Sequence, residues 1–376
     1  MSEIDLSRPI TLHFPKRIEV GSGTAATVGD WAEDLSPVLV ITSNSTAAMV
    51  DRLKITGTVE IISGIPAEPK DTDLAKAVEA ARRIRPALIV GLGGGSVMDV
   101  AKLTCGLWDS DQTLEDVAGP NRVRKKCSAL AQVATTAGTG SEGGIRGLVT
   151  SSDTGMKIAV ESPHLLADLA VLDPDLTMSV PGPLTAATGV DALAHCVEAF
   201  TSKRAHPLVD GYARMGISLT GKYLARATAD GTDADARAGM LLASFYGGLC
   251  LGPVNTAAGH ALGYPPGTRL GLGHGLAVAL LFPHVLAFNA SARPNKTAEI
   301  LAALGLPPAT DEAEIAQALT QWCEDLGLTM SLTDHGADPD AMAAWAEEAH
   351  GIRRLMDFNP RDMSTGDALR LYRAAL

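Results

Sequence analysis

The chain has 376 residues, 46% hydrophobic and 20% charged, which supplies ample material for packed cores and excludes a disordered polymer. Its 31 basic against 43 acidic residues give a formal net charge of −12, and the longest basic run is Arg124-Lys125-Lys126, which argues against nucleic acid or an anionic membrane as partner. Aromatics are scarce at 4% while glycine reaches 38 residues, a composition that suits close helix packing and backbone approaching ligands.

The first half alternates strand-like and helix-like segments. Residues 37–42 form a short β-branched run bounded by turn residues, which predicts a buried strand, and 59–62 predicts another. The spacing of Leu74, Ala75, Val78, Ala81 and Arg82 predicts a helix over 71–84, with Asp71 able to cap it. Residues 86–90 read as a third strand running into a glycine loop at Gly91, residues 96–107 as a helix, and 130–133 as a strand running into Thr135. That rhythm is the one expected of a parallel α/β sheet.

After Asp173-Pro174 the strand signals fade. Residues 185–201, 207–228, 233–251, 276–289, 294–304, 312–326 and 339–349 all read as helices. Pro174, Pro181 and Pro183 interrupt the pattern, so the division falls at 1–178 for an α/β domain with a parallel sheet and 179–376 for an all-helical domain. The five cysteines (Cys105, Cys127, Cys196, Cys250, Cys323) are odd in number and form no CxxC pair, as expected of free thiols in a reducing compartment. Residues 1–16 show no apolar leader core, and the longest apolar run, 276–282, falls far below the ~18 residues of a membrane span. A cytoplasmic protein without a membrane partner is the expectation.

Two loops carry ligand chemistry. Gly91-Leu-Gly93-Gly94-Gly95-Ser96 follows a strand and opens a helix, so that amide groups and the helix N-terminus face an anion such as a pyrophosphate. A tight structural turn would carry the same glycines, and neither GxGxxG nor a Walker pattern is met. Thr135-Thr136-Ala-Gly138-Thr139-Gly140-Ser141-Glu142 also follows a strand, and the two loops together suit one long diphosphate-bearing ligand.

A second constellation suits a metal. Asp191 and His195 stand four apart, on one face of the predicted helix. His260 and His274 are 14 residues apart, which a continuous helix would place ~21 Å from one another. The stretch Tyr264-Pro265-Pro266-Gly267 with Gly271 and Gly273 is expected to break such a helix and fold the imidazoles back together. One carboxylate and three imidazoles suit Fe²⁺, or alternatively Zn²⁺, with room for a substrate oxygen.

Longer motifs then converge. Gly93-Gly-Gly-Ser-Val-Met-Asp99-Val-Ala-Lys102, Thr135 to Glu142, Lys157 to Leu166, Ala170 to Pro174, Gly189 to His195, His260 with His274-Gly275, and Asn359-Pro-Arg361 together resemble the iron-dependent (group III) alcohol dehydrogenase family over nearly the whole chain. That family shares its dehydroquinate synthase-like fold with glycerol dehydrogenase. The resemblance implies a dinucleotide-binding α/β domain, an all-α metal-binding and substrate domain, and a nicotinamide cofactor. It places Gly94, Gly95 and Ser96 at the diphosphate, Asp99 on the nicotinamide side, Thr135, Thr136 and Ser141 at phosphate and ribose, and Lys157 at a nicotinamide-side hydroxyl. Asp191, His195, His260 and His274 would bind the metal, and a homodimer is implied.

Two departures stand out. Members strict for NAD place an Asp after the second strand, whereas Ser43-Asn44-Ser45-Thr46 here holds no acid and favours NADP over NAD. Many members carry another His where Tyr264 stands, so any proton relay would run through Tyr264 or solvent. The expected reaction is metal-assisted hydride transfer between nicotinamide C4 and a small alcohol or aldehyde. Arg146 and Arg269 are candidates for holding an anionic group on that substrate. Alternatives on the same fold are a maleylacetate reductase-like enzyme and a dehydroquinate synthase-like enzyme, and outside it a non-catalytic nucleotide or metal sensor.

Overall fold

The computed structural model describes residues 8–376. The described chain divides into an α/β unit, Leu12–Ser179, and a helical unit, Val180–Leu376, to which residues 8–11 belong. Those N-terminal residues therefore depart from the expected 1–178 domain; the Arg8 guanidinium donates to the Arg204 carbonyl.

In the α/β unit the strands are β1 (Arg17–Val20), β2 (Val38–Thr42), β3 (Val59–Ile62), β4 (Leu88–Gly93), β5 (Gly119–Pro120), β6 (Ala129–Ala134), β7 (Arg146–Thr150), β8 (Lys157–Glu161) and β9 (Leu169–Leu172). Its helices are α1 (Thr27–Ala32), α2 (Asp71–Ile84), α3 (Gly95–Leu107) and α4 (Leu114–Val117). Six strands pair in parallel in the order β1-β9-β6-β4-β2-β3, and β5, β8 and β7 form a separate small sheet. The continuous apolar run of β2 follows from burial of both sheet faces. Leu39 and Ile41 point into the core that holds α2 and α3, while Val38 and Val40 point into the core beneath α1. On α2 the residues Leu74, Ala77, Val78 and Ala81 face that first core. Asp71 does not cap this helix. Asp73 accepts from the Lys70 amide at 3.1 Å, whereas Asp71 reaches the Ser152 amide at 3.1 Å.

Strands β1, β5, β7, β8 and β9 had no clear signal in the sequence, being short and, in β7 and β8, only half buried. Aspartates flank β9 and fix it in the sheet. Asp168 accepts from the Leu130 amide of β6 at 3.0 Å, and Asp173 from the Ala25 amide at 2.9 Å.

The helical unit contains α5 (Gly182–Thr201), α6 (Pro207–Ala229), α7 (Ala234–Leu251), α8 (Ala258–Leu270), α9 (His274–Asn289), α10 (Pro294–Ala303), α11 (Glu312–Asp325), α12 (Met342–His350), α13 (Arg353–Met356) and α14 (Thr365–Ala374). Leu280, Leu281 and Phe288 of α9 pack with Trp345 of α12 and Tyr372 of α14 in one core. Residues 274–292 are long and apolar enough to cross a membrane, but 78% of that stretch is buried within the protein, as a core helix would be.

One expectation fails here. Pro265 and Pro266 lie inside α8 rather than ending it. Proline removes the amide that would bond the carbonyl four residues back, which for Pro266 is that of Leu262. The Tyr372 hydroxyl donates to that carbonyl instead, at 2.6 Å, and restores the missing bond. Helix α8 ends only at Gly271, whose φ of 67° is left-handed. Three residues later α9 begins at His274, so a tight reversal at Gly271–Gly273, not a break at the prolines, returns the chain towards His260.

Candidate metal centre

Three helices supply four converging side chains. Asp191 and His195 lie one turn apart on α5, His260 sits in the first turn of α8, and His274 opens α9. The Asp191 Oδ1 atom stands 3.4 Å from His260 Nε2, 3.7 Å from His274 Nε2 and 3.8 Å from His195 Nε2. One donor atom from each residue falls within 4.8 Å of every other. Ligands about 2.1 Å from a single ion in tetrahedral array stand about 3.4 Å apart, so the set has the spacing of a divalent metal site.

The polar atoms of the quartet support that fit. Asp191 Oδ1 and His260 Nε2 are fully enclosed and, though 3.4 Å apart, make no hydrogen bond with each other or with any other described residue. Enclosed polar groups left unsatisfied cost roughly 1–3 kcal/mol each, and a cation at their common focus would satisfy them together. Burial would raise the Asp191 carboxyl, but the imidazoles of His195, His274 and His260 outweigh it and hold the group well below the usual carboxylate range. Burial drives His195 down to about 4, which leaves it neutral and able to ligate. Burial also acts downward on His260, yet the Glu198 and Asp191 carboxylates beside it raise it to about 10.

Glu198 is the functional residue that the sequence reading missed. Its Oε2 accepts from the Ala257 amide at 2.6 Å and lies 3.0 Å from His260 Nδ1, and its Oε1 accepts from the His260 amide at 3.1 Å. With Nδ1 engaged in this way, Nε2 is the atom turned towards the quartet. A side chain at residue 259 would meet Glu198 Oε1 at 2.1 Å, so the glycine there admits the carboxylate. The signal was present: Glu198 follows His195 by three and Asp191 by seven, on the same helical face.

Tyr264 lies one turn beyond His260. Its ring centroid is 6.1 Å from that of His274, and its hydroxyl accepts from Arg354 Nη2 at 3.5 Å. The two arginines considered for an anionic substrate group are already neutralised: Arg269 pairs with Glu348 at 2.8 Å and Arg146 with Glu161 at 2.6 Å.

The candidate cofactor residues lie in the α/β unit. Strands β4 and β6 are adjacent, with Gly93 opposite Ala134, so both predicted loops leave neighbouring carboxyl ends of the sheet. Gly94 caps α3 without a side-chain bond, and amides in that first turn have no helical acceptor. A Cβ on Gly95 would meet the Thr139 side chain at 2.6 Å, and one on Gly94 would meet Thr136 Oγ1 at 2.9 Å, so the second loop presses directly on the first. The Ser96 hydroxyl accepts from the Glu68 amide at 3.3 Å, and the Thr135 amide bonds the Gly93 carbonyl at 3.1 Å.

Other candidates are tied to protein partners. Ser141 donates to Asp99 Oδ1 at 2.7 Å and accepts from Lys102 Nζ at 2.8 Å, so its hydroxyl has no hydrogen left for a phosphate. Asp99 Oδ2 accepts from the Leu148 amide at 3.0 Å. The Lys157 ammonium lies against the Glu68 carboxylate. At the end of β2 the Ser43 hydroxyl sits 2.9 Å from that of Ser45 and 2.7 Å from that of Thr46.

Comparison with known proteins agrees along the chain. Residues 15–174 match the family model described as iron-containing alcohol dehydrogenase, and residues 185–376 match the C-terminal model of the Fe-containing alcohol dehydrogenase family. Long-chain-alcohol dehydrogenase 1 of Geobacillus thermodenitrificans is 34% identical over 319 residues, spanning 83% of this chain and 80% of that one. A crystal structure of 1,3-propanediol oxidoreductase superposes with a TM-score of 0.92 at 29% identity, over 98% of this chain and 100% of that one. Sulfoacetaldehyde reductase from Bifidobacterium kashiwanohense, solved in complex with NAD+, gives a TM-score of 0.87 at 26% identity, over 98% of this chain and 99% of that one.

Proposed function

Because the chain belongs to the iron-containing alcohol dehydrogenase family, we propose that it interconverts a small aldehyde and its alcohol, using a nicotinamide dinucleotide and a divalent metal, Fe²⁺ before Zn²⁺, held by Asp191, His195, His260 and His274. The observation that carries this reading is the quartet itself, with its enclosed, unpartnered Asp191 Oδ1 and His260 Nε2 atoms. When bound, the metal supplies Lewis-acid polarisation of a carbonyl and the nicotinamide supplies or accepts the hydride.

The chain's own groups set up that chemistry. One carboxylate and three neutral imidazoles leave a divalent cation with net positive charge, and burial of Asp191, His195 and His260 keeps that charge unscreened. Glu198 holds the tautomer and the plane of His260. The Gly94, Gly95 and Ser96 amides at the start of α3, with Thr135 and Thr136 beside them, provide donors for a diphosphate. Asp99, Ser141 and Lys102 brace the second loop from behind. The proton that the alcohol oxygen gains would come from solvent, on the side where Tyr264 lies beside His274.

NADP is the cofactor proposed over NAD. The Ser43, Ser45 and Thr46 hydroxyls at the end of β2, bonded to one another, put no carboxylate there to repel a 2′-phosphate. A homodimer is proposed as well, supported by β1, an edge strand that exposes Ile18 and Val20. The deciding experiment assays short aldehydes with NADPH and with NADH on protein of measured metal content, with the oligomer sized by light scattering. Sustained oxidation of NADPH in proportion to bound metal is expected. Turnover indifferent to metal content sinks the reading.

A further inference from the structure

Guanidiniums near the quartet sort by whether a carboxylate already neutralises them. Helices α12 and α13 pack against α8. On these elements Arg269 is paired with Glu348, and Arg353 with Asp357. Arg354 has no carboxylate within ion-pair distance among the described residues, and its hydrogen bond goes to the neutral Tyr264 hydroxyl at 3.5 Å.

Access to the quartet then selects a side. Asp191, His195 and His260 have side chains no more than 5% exposed, while that of His274 is 31% exposed. A substrate therefore reaches the four donors past His274. The Tyr264 ring lies 6.1 Å from that imidazole, and the Arg354 guanidinium carbon lies 5.9 Å from the Tyr264 ring. Outward from the quartet the order is His274, Tyr264, Arg354. The base of Arg354 is fixed, because Leu355 and Met356 of α13 are buried in the core, while its guanidinium stands in solvent.

We propose that Arg354 grips an anionic group at the far end of the substrate, so that the substrate class is a short aldehyde, or its alcohol, bearing a carboxylate or sulfonate. This rests on the aldehyde-reducing reading above. The planar guanidinium offers paired donors that match a carboxylate or sulfonate edge. The Tyr264 hydroxyl accepts from Arg354 and keeps its own hydrogen to donate to the same anion. Neither Arg146 nor Arg269 serves, since each is held by a glutamate.

The test is the specificity ratio, kcat/KM for succinic semialdehyde over kcat/KM for butanal, on metal-loaded protein. Wild type favours the carboxylate. Arg354→Ala lowers the ratio about 10- to 100-fold, chiefly through KM for succinic semialdehyde, in keeping with loss of one charge-assisted hydrogen-bonded contact. Arg354→Lys recovers part of it, and Arg269→Ala leaves it as in wild type. A ratio that Arg354→Ala moves by less than about twofold, or that Arg269→Ala lowers equally, overturns the inference. Wild type that reduces butanal and discriminates against succinic semialdehyde overturns it while the aldehyde-reducing reading survives. Wild type that reduces neither overturns that reading, and this inference with it.

Discussion

The helical quartet and the glycine loops of the α/β unit treat their polar atoms in opposite ways. In the quartet, enclosed atoms of Asp191 and His260 face one another without partners. In the α/β unit, the side chains first suspected of binding cofactor are occupied: Ser141 by Asp99 and Lys102, Ser43 by Ser45 and Thr46, Lys157 by Glu68. A metal site needs side-chain donors held ready, because no backbone group supplies an imidazole or a carboxylate. A diphosphate site can be made of backbone amides, and its side chains are then free to hold the loops in shape. Enclosed donors that converge on one point mark the first kind of site and close backbone approach the second, although Glu142 of the second loop also buries two carboxylate oxygens without a partner among the described residues.

Several experiments press on that contrast. The largest effect is expected from His260→Ala, which should strip the bound metal and lower kcat/KM by about a thousandfold or more, while dinucleotide binding measured by fluorescence stays intact. Full metal content in that variant would refute the quartet. Glu198→Gln keeps every ligand but weakens the hold on His260 Nδ1, and should loosen the metal about 10- to 100-fold in chelator competition. Retention of wild-type affinity there would mean that the imidazole needs no orienting partner.

Ser43→Asp addresses the α/β unit alone. It should lower the NADPH-over-NADH ratio of kcat/KM by roughly tenfold or more without altering metal content, as a carboxylate facing a 2′-phosphate repels it. Metal affinity should also depend on pH. His260 is raised to about 10 and is protonated in the metal-free protein at neutral pH, whereas His195, lowered to about 4, is already neutral. Binding then displaces about one proton, so affinity should rise about tenfold per pH unit between pH ~6 and ~9, a slope that titration at several pH values would give. The smallest effect is reserved for Tyr372→Phe. It leaves the Leu262 carbonyl without its donor and should cost about 1–3 kcal/mol in denaturant unfolding.

How much of this was legible in the sequence depended on whether the cause was local. Strands β2, β4 and β6 announced themselves because burial demands apolar or β-branched runs between turns, and the half-buried edge strand β3 by its β-branched residues Val59, Ile61 and Ile62. The four-residue β9 did not, since its place in the sheet is set by Asp168 and Asp173 bonding to distant amides. The break and reversal at Gly271 and Gly273 were legible, but the run Pro265-Pro266 was misread as part of that break, because the group that repairs the diproline step is Tyr372, 110 positions downstream of Leu262. The four metal-ligand candidates were legible as spacing and motif, and Glu198 was equally legible by its period on α5. Arg354 was not. Its interest comes from having no acidic partner among the described residues, whereas Arg146 and Arg269, more prominent in sequence, have one each.

The exposure of His274, alone among the quartet, bears on how an ion would be exchanged. Three of the four donors sit in the interior, so an incoming or departing cation has one doorway, and opening any other requires helices to part. Swapping one metal for another would then be slow in the native protein and quick during folding. The ion found in a preparation would record what the growth medium offered at synthesis rather than which element the site prefers.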